Sequence, residues 1–309
     1  MFIIKYKKFF FILSALLTFI GLLGMVIFPW NMGIEFTGGS LLEVGYPQGR
    51  PESEVVKAKI DTFQWSGTQV QATGDDGYVI RTKALTEPER QELIATLSDN
   101  GTTVLEERRF TSIGPTIGAE LKKKAGWSIL LVILAIVLYI AFAFRHVSRP
   151  ISSWVYGFVA IVALLHDVII PTGVYVVLGH YFIDVQIDVL FVTAILTILG
   201  FSVHDTIVVF DRTRENLKLN TWKEFDTTVG HSVSQTFTRS INTSLTVLLV
   251  ILALYFVGGA TTKNFALTLG VGIAAGTYSS LFLASPLLVA IADWQRRREA
   301  KIVASHKRK

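Results

Sequence analysis

The sequence predicts a polytopic α-helical membrane protein with six transmembrane helices and one exported α+β domain between the first and second of them. Three observations carry that expectation. Hydrophobic residues make up 51% of the 309 positions and charged residues only 17%, a balance too apolar for an ordinary soluble domain. Most acids and a globular mixture fall in 32–125, whereas 126–292 is nearly continuous apolar segments broken by short charged loops. The basic residues behind the formal charge of +5 cluster beside apolar segments rather than in a basic domain, which points to membrane topology instead of nucleic-acid binding.

The first apolar run, 9–29, follows Lys5, Lys7 and Lys8. That charge pattern is shared with signal peptides, but the run is long enough to span and no small-residue cleavage site follows, so it reads as a retained first helix. Further runs at 127–144, 151–178, 187–210, 241–257 and 265–292 each suffice to cross a hydrocarbon core of roughly 30 Å. Six spans place four basic groups on one face: Lys5, Lys7 and Lys8; Arg145 and Arg149; Arg212, Arg214, Lys218, Lys223 and Arg239; and Arg296, Arg297, Arg298 and Lys301. The opposite short loops, 179–186 and 258–264, hold only Lys263. The positive-inside rule makes the basic face, with both termini, cytoplasmic and exports the acidic segment. The chain thus divides into 1–30 (N-terminal segment and first helix), 31–125 (exported domain, the composition changing near 121–126), 126–292 (helices two to six) and 293–309 (basic cytoplasmic tail).

The exported segment has its own periodicity. Strands are expected at 40–46, 69–73, 78–82 and 103–110, a hairpin turn at Gly74-Asp75-Asp76-Gly77, and helices at 51–63 and 86–97, the second capped by Thr86. The order βαββαβ suits a ferredoxin-like sheet with two helices on one face. Its acids fit solvated helix faces, and it has neither histidine nor a glycine-rich phosphate loop, so it reads as a binding or lever domain. The chain has no cysteine, which removes disulfides and thiolate metal sites; no cofactor or metal is expected.

Charged groups inside spans are the informative residues, because each costs several kcal/mol in lipid unless paired or hydrated. The candidates are His166 and Asp167 in span three, His204 and Asp205 in span four, and Arg239 at the entry to span five. Asp205 lies five residues before Phe210, roughly 7–8 Å along the helix, too deep for a short side chain to snorkel comfortably. An Asp205–Arg239 pair would satisfy both charges. It is either a brace between helices or a proton-driven switch in which Asp205 alternates between protonated and paired states. Ser202, Thr206, Thr236, Thr238, Ser240 and Thr243 offer hydroxyls to order water, and a sodium ion could use the same oxygens. His204, turned about 100° from Asp205, and the His166–Asp167 pair are secondary relay candidates, the latter against interhelical hydrogen bonding. Small residues, among them Thr193, Thr197, Gly200, Gly270, Gly272, Gly276, Ser279 and Ser280, allow close helix approach, static or sliding.

These residues fall within GFSVHDTIVVFDRTRENL at 200–217, SVSQTFTRSINTSLTVLL at 232–249, LYFVGG at 254–259 and FALTLGVGIAAGTYSSLFLASPLL at 265–288. Together with GIEFTGG at 33–39 and IGPTIG at 113–118, the pattern resembles the SecF family, the smaller membrane subunit of the SecD–SecF protein-export complex in the resistance-nodulation-division superfamily. The resemblance covers essentially the whole chain, its motif residues including Gly33, Glu35, Gly38, Gly39, Gly114, Pro115, Asp211 and Arg212. It implies a bacterial inner-membrane location, a SecD partner, and assistance to preprotein movement through the SecYEG channel using proton-motive force or a sodium gradient. YajC and YidC-type membrane proteins are further implied neighbours. It assigns Asp205 and Arg239 as the essential intramembrane pair and puts a second relay aspartate in SecD. Two positions depart from the family pattern: His204 stands where asparagine is usual, and Glu35 where aspartate is usual.

Two other classes remain at this stage: a self-contained proton-driven exporter of small molecules, for which six spans are half the usual machinery, and a scaffold without ion coupling. An ATPase is disfavoured because no Walker-type glycine-lysine loop occurs.

Overall fold

The computed structural model describes residues 2–145, 151–182, 184–219 and 224–306. Arg149 and Lys223, two of the residues used for orientation, lie outside them. In chain order the elements begin α1 (Phe2–Lys5), α2 (Lys7–Ile27), α3 (Ile34–Thr37), β1 (Gly39–Gly45), α4 (Ser53–Asp61), β2 (Gln69–Thr73), β3 (Gly77–Thr82), α5 (Glu87–Leu97) and β4 (Glu106–Ile113). They continue as α6 (Pro115–Ala143), α7 (Ser153–Tyr181), α8 (Val189–Lys218), α9 (Phe225–Val257), α10 (Ala260–Tyr278), a π-helical turn Ser279–Ala284 and α11 (Ser285–His306). Six helical rods are long and apolar enough to cross a membrane; the sixth runs Thr262–Lys301 through α10, the π-turn and α11.

Two compact units result. One is Trp30–Trp127 with Tyr181–Val189; the other is Met1–Pro29, Ser128–His180 and Leu190–Lys309.

The first unit is an antiparallel sheet in the order β2-β3-β1-β4 with two helices. Period-two alternation on β1 and its continuation sends Leu42, Val44 and Tyr46 into a core with Tyr78 and Ile80 of β3. Val56 and Ile60 of α4, with Leu93 and Leu97 of α5, close that core. Burial pushes the Tyr46 hydroxyl up to about 12. The expected β2–β3 turn forms, with Gly74 at φ +57. Arg108 grips Asp76 in that turn through two parallel bonds of 2.9 and 2.6 Å, which holds the Asp76 carboxyl below the usual range. Thr86 and Glu89 form a capping box at the start of α5. The last strand lies at Glu106–Ile113, not 103–110, because its register is set by pairing along β1, where it shifts at Glu43/Val44.

The two exported motifs meet at one end of this sheet. Gly38 has φ +76, and a Cβ there would lie 2.7 Å from the Pro115 Cα; one on Gly118 would lie 2.7 Å from the Gly38 backbone nitrogen. Helix α6 therefore starts at Pro115, packed against the first motif, rather than at the apolar run beginning near 127. Pro at a helix start is favourable because the missing N–H has no intrahelical partner there. The α7–α8 connector joins the same unit. Ile187 N–H donates to the Asn31 carbonyl at 2.8 Å, Gly33 N–H to the Ile187 carbonyl at 2.9 Å, and Asn31 Nδ2 to the Val185 carbonyl at 3.0 Å. Residues just after span one are thus clipped to the connector of spans three and four.

In the second unit α6 exposes Leu130, Leu131, Leu134, Leu138 and Phe142, as a lipid-facing helix would. Helices α7 and α8 and the sixth span are the interior helices, and α7 and α8 each bury a column that includes polar residues. Helix α9 begins at Phe225, well before its apolar run, so its polar residues 232–240 are helical.

Gly38→Ala should cost about 1–3 kcal/mol from positive φ alone, read as lost hydrogen-exchange protection in β1 and β4 of the purified chain; unchanged protection would contradict the contact. Arg90 and Gln91 hydrogen bonds to Glu87, and Lys83 and Thr86 bonds to Glu89, lower these carboxyls from 4.5 to about 2. Because the folded values are depressed, their contribution to the α5 start is present above pH 4.5 and lost as pH falls toward about 2. Carbon-detected NMR titration should find both midpoints below the ordinary glutamate range, and ordinary midpoints would refute the caps.

Candidate ion-coupling site within the membrane bundle

Helix α7 places His166 and Asp167 in the bundle interior, 3% and 0% exposed. His166 Nδ1 and Asp167 Oδ1 are 2.8 Å apart. The other carboxylate oxygen accepts from Ser202 Oγ of α8 and, at 2.7 Å, from Ser279 Oγ of the π-turn. One side chain therefore joins three spans. Hydrogen bonds to a charged group contribute about 1.5–3 kcal/mol each, the right order to offset part of a carboxylate's desolvation.

Asp205, 3% exposed on α8, is served differently. It accepts one long bond, 3.4 Å, from Ser244 Oγ of α9, and Ser244 in turn accepts from Thr277 Oγ1 of α10 at 2.7 Å. Ser240 Oγ, one turn before Ser244, is buried beside the Asp205 carboxylate but makes no hydrogen bond of ordinary geometry. Thr206 and Ser280 hydroxyls meet at 2.8 Å, and Ser280 also donates to the Ser202 carbonyl at 3.3 Å. The π-turn makes these contacts possible. In a regular helix Ser279 and Ser280 would diverge by about 100°; the wider turn lets both be fully buried and directed at neighbouring spans. Pro286, lacking an N–H, follows immediately and favours a departure from regular helix at this place.

Small residues set the spacing. A Cβ on Gly272 would lie 2.1 Å from Ile198 Cδ1, and one on Gly276 2.9 Å from Ser202 Cβ, so α10 rests on α8 through these glycines. Gly270 makes only an ordinary contact with Ile251, and a Cβ on Gly200 would meet open space. Gly173 and Gly21 were not singled out from the sequence, yet a Cβ on Gly173 would come within 2.4 Å of the Gly21 Cα, joining α7 to α2. The one-turn spacing of Gly21 and Gly24 was the available signal.

The expected Asp205–Arg239 ion pair is not made in this conformation: among the described residues no bridge within 4.0 Å joins them, and Arg239 is exposed on α9. The reason is rotation. Ser240 and Ser244 share one face of α9, and Arg239 is turned about 100° from Ser240. His204 is likewise exposed, turned about 100° around α8 from Asp205. The Thr236 and Thr243 hydroxyls are spent on their own helix, bonding the Ser232 and Arg239 carbonyls at 3.0 and 2.9 Å. Farther along α8, Arg212 Nε donates to Gln235 Oε1 at 2.6 Å and Asn216 Nδ2 to Ser232 Oγ at 2.8 Å, holding α9 against α8; Asp211 pairs with Arg214 at 2.7 Å.

Residues 93–294 match the model of the protein export membrane protein SecD/SecF C-terminal family. The chain is 40% identical over 306 residues to the protein translocase subunit SecF of Thermobaculum terrenum, covering 96% of this chain and 94% of that one. The chain belongs to the SecF family. It is also 36% identical to the protein translocase subunit SecDF of Thermus thermophilus, covering 94% of this chain but 38% of that protein. The crystal structure of Thermus thermophilus SecDF superposes with a TM-score of 0.80 at 31% identity, over 94% of this chain and 38% of that one. SecDF in its super-membrane-facing form gives 0.65 at 32% identity, over 98% and 39%. Membership in the SecF family agrees with a multi-pass inner-membrane protein carrying an extracytoplasmic domain, and with a non-enzymatic subunit.

Gly173→Ala should lower the stability of the purified SecF-family chain by about 1–3 kcal/mol through overpacking against backbone, whereas Gly200→Ala should leave it unchanged or slightly higher. Equal thermal midpoints for Gly173→Ala and the parent would contradict the close α2–α7 contact.

Proposed function

We propose that this chain works with a SecD-type partner to draw on the proton-motive force, or a sodium gradient, and assist preprotein movement and release at the outer side of the SecYEG channel. The observation that carries the reading is the under-served Asp205: fully inside the bundle, with one 3.4 Å hydrogen bond and, beside it, a Ser240 hydroxyl that makes no hydrogen bond of ordinary geometry. Of the two buried aspartates it is the one whose environment changes most on gaining a proton or a new partner, since Asp167 already has three.

The partner follows from the other half of the pair. Gln235, Thr238, Arg239, Asn242, Thr243 and Thr246 form an exposed polar stripe on α9, spaced at helical intervals within a span otherwise rich in leucine. A guanidinium on such a stripe is costly against lipid. A SecD-type subunit that covers the stripe and supplies a carboxylate removes the cost, and the fused SecDF relatives, of which this chain spans 38%, have the material for it. Arg239 then alternates between that carboxylate and Asp205. The α+β domain, whose order is βαββαβ, is the ferredoxin-like lever, and YajC and YidC-type proteins are further neighbours. One elementary charge crossing 100 mV contributes about 2.3 kcal/mol, and about 1.4 kcal/mol changes a two-state ratio tenfold.

In vesicles with matched SecD and SecYEG, Asp205→Asn should leave assembly and ATP-driven translocation intact and remove the part that depends on the gradient. Arg239→Met should show the same loss, and the double variant little more. Normal gradient-stimulated release by Asp205→Asn would leave a bracing role as the better account.

A further inference from the structure

The geometry points to the His166–Asp167 pair as a second proton-binding site, separate from Asp205, which holds one exchangeable proton in the conformation described. Asp167 is fully buried and His166 is 3% exposed. Among the described residues no lysine or arginine lies within 4.0 Å of Asp167; its ion-pair partner is His166. The groups facing the pair are Ser202 from α8, Ser279 from the π-turn, and Tyr278, whose ring stacks on the imidazole at 5.9 Å between centroids. The Tyr278 hydroxyl is engaged elsewhere, accepting from Ser14 Oγ at 3.2 Å and donating to the Phe10 carbonyl at 3.1 Å. No other titratable side chain is bonded to the pair among the described residues. Asp205 follows Ser202 by three residues but bonds Ser244 on α9.

Charge and hydrogen-bond accounting then define two states. With one proton on the pair, Nδ1–H donates to an ionised Asp167, Nε2 is bare, and the buried net charge is −1. With a second proton the pair is neutral: the Nδ1–Oδ1 proton stays between the two groups, on either side of the contact, and the added one sits on Nε2. With Oδ2 taken up by the two serine donors, the remaining neutral arrangements, imidazolium–carboxylate and imidazole–carboxylic acid, both carry Nε2–H. Neutrality is the cheaper condition where no cation is present to balance the carboxylate. Nε2 is also the atom left open, buried without any hydrogen-bond partner. Nε2 is thus the atom at which the two states differ, while Ser202 and Ser279 hold the carboxylate in place. Loss of that proton leaves net negative charge where α7, α8 and the π-turn meet; α8 also carries Asp205, and the π-turn continues α10, whose Thr277 bonds Asp205's neighbour Ser244. This extends the ion-coupling reading above, but proton occupancy can be measured without export.

The test is solid-state NMR of the chain labelled with nitrogen-15 histidine, in lipid vesicles and in complex with its SecD-type partner, the His166 signal being assigned by its loss in His166→Gln. Over a titration from about pH 5 to 9, Nε2 should change between the protonated, pyrrole type and the bare, pyridine type. Asp167→Asn, close in shape but uncharged, should abolish the conversion; Asp205→Asn should preserve it. A parent-chain Nε2 signal that does not change over this range, an Asp167→Asn variant that titrates like the parent, or loss of the titration in Asp205→Asn would each overturn the proposal. Failure of the export test with this titration intact would count against the coupling role of Asp205 and not against this site.

Discussion

Ionisable groups inside a bilayer have no water to fall back on, and the membrane bundle is organised by that constraint. Each of the two aspartates must be neutralised or surrounded by donors, and the donors come from different spans: Ser202 and Ser279 for Asp167, Ser244 for Asp205. Supplying them requires α8 and the sixth span to approach closely, hence the glycines at 272 and 276, and requires consecutive serines to face inward, hence the π-turn ahead of Pro286. The two carboxylates meet the constraint to different degrees. Asp167 is closely held, whereas Asp205 has a single long contact.

The segments of the exported unit that lead into the spans are joined to one another. Helices α7 and α8, which carry both aspartates, end in the connector that hydrogen-bonds Asn31 and Gly33 at the beginning of the exported unit. The same unit takes in the start of α6, whose Pro115 touches Gly38. The segments that follow span one, precede span two and join spans three and four therefore all belong to this unit, not only the two that chain connectivity alone implies.

Much of this was legible in the residues. Apolar run length and the Lys/Arg distribution give six spans, and period-two alternation finds β1 and β3 because each buries one face, while β2 follows from the turn that joins it to β3. Helix ends were less legible: α6 and α9 begin upstream of their apolar runs, because packing at Gly38 and bonds from Arg212 and Asn216 sustain helix where hydropathy is silent. Depth along a span placed Asp205 correctly in the interior, but depth carries no rotation, so the sequence suggested Arg239 as its immediate partner where Ser244 stands. The importance of Asp167 was under-read for a related reason. Its donors lie 35 and 112 residues away, a separation no local pattern reveals.

If proton occupancy where α7, α8 and the π-turn meet drives the helices, the contact between α8 and the π-turn must rearrange when the gradient is used. The chain has no native cysteine, and the Thr206 and Ser280 hydroxyls are 2.8 Å apart, so a Thr206→Cys, Ser280→Cys pair can lock that contact by oxidation without competing thiols in this subunit. Gradient-dependent preprotein release should be lost on oxidation and return on reduction, with ATP-driven translocation unaffected throughout. Undiminished gradient-dependent release from the fully oxidised, locked pair would contradict the account.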